Sequence, residues 1–120
     1  MVNDYRDLEV WKKGVEISVL TDAITNKFSA SQRFGRGYHM QKTADSIPMN
    51  IAEGSMRQYT KEYIRFCYIS PGSCAELETQ TEIARRFSLM KTEDVSVLAE
   101  MLDHERRMPR NLIKRLKGRI

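Results

Sequence analysis

From Tyr63 to Ala84 the sequence carries one stripe: Tyr63, Cys67, Ser70, Cys74, Leu77, Thr81 and Ala84, separated alternately by four and three residues. That spacing puts the whole set on one face of an α-helix, since a strand alternates its faces with a period of two. Most members are small and several are polar, so a second helix can approach closely. Ile64, Phe66, Ile69 and Ile83 supply bulk beside the stripe. A long helical face of this kind cannot be buried alone, and it constrains the chain to helix-on-helix packing.

The same period recurs elsewhere. A first helix is expected from Asp4, which can cap free backbone N–H groups, with Asp7 adding negative charge in the first turn. It carries Leu8, Val10, Trp11, Val15, Ile17, Leu20, Ile24 and Phe28. The polar stretch SASQRFGRG, residues 29–37, is expected to interrupt the pattern. A second helix follows from Phe34 or Tyr38 to Ala52, with Ala44, Ile47, Ile51 and Ala52 inward and Gly54 as a left-handed stop. The third starts at Thr60 as N-cap, with Glu62 in its first turn. The fourth starts after Thr92, with Glu93 and Asp94 matching the helix dipole, and bears Val95, Leu98, Leu102, Leu112 and Leu116. Long helices with short connections predict an all-α fold, an antiparallel up-down-up-down four-helix bundle forming a single domain over residues 1–120.

Pro48, Pro71 and Pro109 all fall inside these segments, where each removes a backbone hydrogen bond and costs about 3 kcal/mol or a kink. In a hairpin turning near residue 59 or 60, Pro48 and Pro71 stand at one level, so matched bends in the second and third helices are expected. Pro109 has no such partner and is expected to split the fourth helix or to begin a short terminal one. Around Pro48, Asn50 is expected to satisfy backbone groups freed by the kink, and Glu53 to pair with Arg65.

With 30% charged and 41% apolar residues the chain reads as globular. Its apolar runs are far shorter than the ~20 residues needed to span a bilayer, so no membrane partner is expected. The opening MVNDYRDLEVW has acids where a signal peptide has a basic region and an apolar block, which points to a cytoplasmic protein. Cys67 and Cys74, two helical turns apart, lie about 10 Å from each other at 1.5 Å rise per residue, too far for a disulfide, and read as small core residues.

Signals for chemistry are few. A metal site in a bundle core uses Glu-x-x-His pairs, but position 36 is Arg and position 101 is Met, so neither His39 nor His104 completes one. Glu100 and His104, four apart, could share a metal but have no second histidine by motif. Gly35 and Gly37 make only GRG, too little to cradle a phosphate. Glu78 and Glu82 read as an exposed helix edge pairing with Arg85 or Arg86. The expectation is a protein that is not an enzyme, with no catalytic residues, metal or cofactor.

Charge is the stronger signal. Residues 104–120 hold seven Lys or Arg against Glu105, a net +6 within a total of +4. In the expected bundle, the chain start, the turn between the second and third helices and the C-terminus share one end. That pole gathers Arg6, Lys12, Lys13, Arg57, Lys61, Arg65, Arg110, Lys114, Arg115, Lys117 and Arg119, opposed by Asp4, Asp7, Glu9, Glu53 and Glu62. The candidate nucleic-acid-binding residues are Arg57, Lys61, Arg65, Arg110, Lys114, Arg115, Lys117 and Arg119, with Tyr5, Tyr59 and Tyr63 as the aromatics available for stacking.

The words SIPMNIAEG (residues 46–54) and YTKEYIRFCYISPGSCAELETQ (residues 59–80), with the opening YRDLEVWKKGVEIS, resemble the four-helix-bundle, ribosomal-protein-like proteins encoded within intervening sequences of bacterial 23S rRNA genes. The resemblance spans roughly residues 4–117 and is carried by Ser46-Ile47-Pro48, Asn50 to Gly54, Arg65-Phe66, Gly72-Ser73 and Glu76-Leu77-Glu78. It implies a bundle able to assemble as a ring-like homopentamer. It also implies kinship with the accessory protein of diversity-generating retroelements, a basic pentamer that binds nucleic acid. Pro71, Pro109, His39, Lys42 and Asp45 depart from the family pattern. Two readings follow: an oligomeric bundle binding RNA or DNA through its basic pole, associated with rRNA, or an oligomeric scaffold for protein interaction with no direct nucleic-acid contact.

Overall fold

A computed structural model describes residues 4–120. The first three residues of the opening stretch lie outside it. Within the described residues the fold is all-α, and four long helices account for most of the chain: α1 (Glu9–Thr25), α2 (Tyr38–Ser55), α3 (Thr60–Arg86) and α4 (Thr92–Arg107). A short α5 (Pro109–Lys117) continues from α4. The stripe that runs along α3 is buried from Cys67 to Ala84, and α3 packs against α2, α4 and α5, while α1 packs against α2 and α4. The body measures 48 × 22 × 21 Å, as a 27-residue helix at about 1.5 Å per residue requires. No helix among the described residues is long and apolar enough to cross a membrane.

Several helix ends differ from the sequence expectation. Asp4 does cap a helical turn, accepting the Arg6 N–H at 2.8 Å, but the turn is a separate 3-10 one at Tyr5–Asp7, and α1 begins only at Glu9. The helical pattern is interrupted at residues 26–29, at the head of SASQRFGRG and not across it. Ala30–Gln32 forms a helical turn that passes through a π-type turn at Arg33–Gly37 into α2. A Cβ at Gly37 would stand 3.2 Å from Thr25 Cβ and 3.4 Å from the Phe28 ring, so this glycine permits close packing. Thr60 is the first residue of α3 rather than its cap; Tyr59 holds the cap position with no side-chain bond.

Gly54 is not a left-handed stop. It lies inside α2, where a Cβ would be 2.6 Å from Phe66 Cβ, so its role is to let α2 and α3 touch. The left-handed helix end falls instead at Ser88, with φ 59°. There the Leu89 N–H reaches back to Ala84 O at 2.9 Å and the Ser88 N–H to Arg85 O at 2.9 Å, closing α3 as a Schellman turn usually closed by glycine.

The prolines behave differently from one another. α2 and α3 run unbroken through Pro48 and Pro71. The two stand at nearly one level, since Ser70 Oγ donates to Ile47 O at 3.2 Å. Pro109 does split the fourth arm, as the first residue of α5, where a missing N–H costs nothing. Asn50 Nδ2 donates to Ser46 O at 2.7 Å, whereas the carbonyl deprived of its donor by Pro48 is that of Ala44, one half-turn away. Glu53 pairs with Arg57, one turn on at 3.8 Å, and not with Arg65. Gly72 faces solvent, and a Cβ there would meet nothing.

The core forms two clusters. One joins Ile17, Ile24, Phe28, Met40, Ala44, Ile47, Cys74, Leu77, Ala84, Met90, Leu98 and Leu102. The other, near α5, joins Val10, Ile51, Ile64, Cys67, Leu112, Ile113 and Leu116. On each long helix one residue stands between them: Gly14, Pro48, Ser70 and Glu105. Glu105 is 1% exposed, and among the described residues neither of its oxygens has a hydrogen-bond partner. A Cβ at Gly14 would sit 3.1 Å from Pro48 Cβ and 3.2 Å from Glu105 Oε2, so the glycine makes room for the carboxyl.

Candidate nucleic-acid interface

Burial of Leu112 and Leu116, with Leu8 partly buried against them, brings the start of α1, the α2–α3 turn and α5 together at one end of the molecule. They enclose a cleft of about 400 Å3 lined by Leu8, Ser55, Arg57, Gln58, Tyr59, Thr60, Tyr63, Leu112, Arg115, Leu116 and Arg119. Amphipathic α5 supplies one wall: its apolar side, Leu112, Ile113 and Leu116, docks on the core and holds Arg115 at the cleft, with Arg119 in the turn that follows the helix. The other wall is the turn. Tyr59 is extended there (φ −111°, ψ 137°) and 62% exposed.

Three arginines thus face one space. Arg57 has its guanidinium carbon 4.8 Å from the centre of the Phe66 ring and pairs with Glu53 at 3.8 Å and Glu62 at 4.0 Å. Among the described residues no carboxylate lies within ion-pair range of Arg115 or Arg119. Burial raises the Tyr63 phenol above its ordinary pKa, and the Cys67 thiol adds to this; the positive charge of Arg119 and Arg115 opposes both. Tyr63 is therefore a neutral hydroxyl facing a positive wall.

The remaining expected residues divide. Lys61, Arg65, Arg110, Lys114 and Lys117 are exposed but stand outside the cleft. Arg65 rests over the outer side of Phe66 at 5.5 Å, and Lys117 over Tyr68 at 5.8 Å, on the far flank of α5. Arg6 is tied to Asp4 at 2.8 Å and Lys12 to Glu9 at 3.7 Å, which lowers the charge they offer. Lys13 faces a separate groove with Val97, Glu100, Met101 and His104. Arg106 and Arg107 are held by Asp103 at 2.6 and 2.7 Å.

The sequence profile of the family described as 23S rRNA-intervening sequence protein matches residues 6–111. The chain belongs to that family. No curated protein matches it. In this 23S rRNA-intervening sequence family member the matched stretch includes Arg57, Tyr59, Tyr63 and Leu112's neighbour Asn111, but ends before Arg115 and Arg119. One wall of the cleft therefore lies within the matched stretch and most of the other outside it.

Elsewhere in this family member several ionisable side chains serve the packing of the helices. Glu82 holds Arg85 at 2.7 Å and Arg86 at 2.9 Å, and these hydrogen bonds bring its carboxyl down to about 2. Glu78 does not join them; it crosses to Arg106 of α4 at 3.3 Å. Cys67 and Cys74 are buried free thiols, pushed up to about 12 by desolvation. Among the described residues no three His, Cys, Asp or Glu side chains cluster as metal ligands. By charge alone Glu105 is only a counter-charge to the basic end. Its place in the series Leu98, Leu102, Glu105, Pro109, Leu112 is the signal that puts it inside.

Proposed function

We propose that this protein is a non-enzymatic, cytoplasmic bundle, its helices running up-down-up-down, that binds RNA or DNA through its basic pole and works in association with rRNA. The observation carrying this reading is the cleft, where Arg57, Arg115 and Arg119 converge and, among the described residues, no carboxylate lies within ion-pair range of Arg115 or Arg119. Arginine forks suit phosphate oxygens, and such contacts give salt-sensitive affinity that is largely independent of sequence. Lys114 and Lys117 extend the positive field along α5.

The test is a titration of labelled RNA and DNA at several salt concentrations. Binding is expected at low salt, falling steeply as salt rises. Replacing Lys114, Arg115, Lys117 and Arg119 together by Gln should flatten the log–log salt slope by up to about 3. Absence of binding at low salt, or an unchanged slope in the quadruple variant, sinks the reading.

A ring-like homo-oligomer, with a pentamer favoured, belongs to the same proposal, and exposed apolar side chains support it. Met49 of α2, Ile69 of α3 and Phe34 of the π-type turn before α2 are exposed. They also favour the second reading, an oligomeric scaffold that meets other proteins. Light scattering should return five times the 14.0 kDa chain. A stable 14.0 kDa particle removes the ring.

A further inference from the structure

We infer that the nucleic acid taken by this cleft is single-stranded, with a backbone phosphate among Arg57, Arg115 and Arg119 and a base stacked on Tyr59. The inference rests on the nucleic-acid reading above and narrows it. The cleft is concave and mixed in chemistry. Its walls are cationic, whereas Leu8, Leu112 and Leu116 give it an apolar lining and Tyr59 and Tyr63 give it two rings.

A duplex presents phosphates on a convex cylinder and keeps its bases paired inside. It can meet exposed cations such as Arg110 and Lys114, but it cannot lay a base against a tyrosine within a cleft. An unpaired strand can, because every base has a π-face and a rotatable backbone. Tyr59 fits that role: it is 62% exposed, fixed by an extended backbone immediately before α3, and flanked by Arg57. Arg57 is itself held against the Phe66 ring and between Glu53 and Glu62 at 3.8 and 4.0 Å, so the charge not already met by acids comes from Arg115 and Arg119. Exposure of the Tyr59 ring means that replacing it removes no core contact.

The experiment compares a short homopolymeric single strand with a blunt duplex of equal length, at low salt, on the wild-type protein, Tyr59→Ala and Tyr59→Phe. The wild type should prefer the single strand. Tyr59→Ala should weaken that complex roughly tenfold or more, the size of one lost base–aromatic stack, and Tyr59→Phe should retain it. Affinity for the duplex should be the same in all three proteins. Equal wild-type affinity for both ligands, or a Tyr59→Ala loss that is absent or shared equally by the duplex, overturns the inference while leaving salt-dependent binding in place. No binding of either ligand overturns this inference together with the reading beneath it.

Discussion

Glu105→Gln is expected to abolish most of the pH dependence of stability between about pH 4.5 and pH 8. Burial pushes the Glu105 carboxyl from 4.5 up to about 8, with Glu16 adding to the rise and Lys13 opposing it. In that window the folded chain keeps a proton that the unfolded chain has released. Stability is therefore full below about 4.5, declines as pH rises, and has lost its whole contribution above about 8. At about 1.4 kcal/mol per unit the total loss is on the order of 5 kcal/mol. Glutamine mimics the protonated acid in shape and polarity but cannot ionise. Thermal melts should find the variant equal to the wild type near pH 4 and higher by on the order of 10 °C near pH 8.5. Parallel melting profiles for the two proteins would show that the carboxyl is not held neutral.

Gly54→Val is the second large effect. The added Cβ would stand 2.6 Å from Phe66 Cβ and 3.1 Å from the Tyr63 ring. A clash between two Cβ atoms has no rotamer to relieve it, so α2 and α3 must separate. Overpacking of this kind costs about 3 kcal/mol, against at most about 1 kcal/mol regained from removing a glycine inside a helix. Chemical denaturation should show the loss directly. Gly72→Ala is the internal contrast. It also lies within a helix, but its Cβ would meet nothing, and a gain of roughly 0.5–1 kcal/mol is expected. If both variants shift stability in the same direction, close helix approach at Gly54 is not what the glycine serves.

These two positions also mark where the sequence is readable. The Cys67–Ala84 stripe and the helix start at Pro109 are local patterns, and the fold follows them. Gly54 carries the local signature of a helix end, yet its conformation is helical, because the need at that point is tertiary and belongs to Phe66. Ser88 shows the converse: a residue with no special left-handed preference ends α3, since Leu89 must turn back to Ala84. Glu105 hides among charged neighbours in HERRM, and only its register between Leu102 and Leu112 betrays it. For the basic pole, charge counting gathered eleven cations at one end. A count does not show that Arg6 and Lys12 are engaged by their own acids, nor that Arg57, Arg115 and Arg119 converge, because convergence depends on how α5 is rolled against α3.

The joint between α4 and α5 sets how those arginines meet a ligand. Met108 is itself helical, with φ −60° and ψ −38°, and no loop intervenes before Pro109. A basic tail ordered only on binding loses about 1–2 kcal/mol of backbone entropy per residue at that moment. Here Arg115 is ordered within α5 once the chain has folded, and Arg119 follows in the turn closed by its N–H to Leu116 O at 3.0 Å. Rigid charges of this sort discriminate by the distance between phosphates, where a loose tail responds only to how many there are.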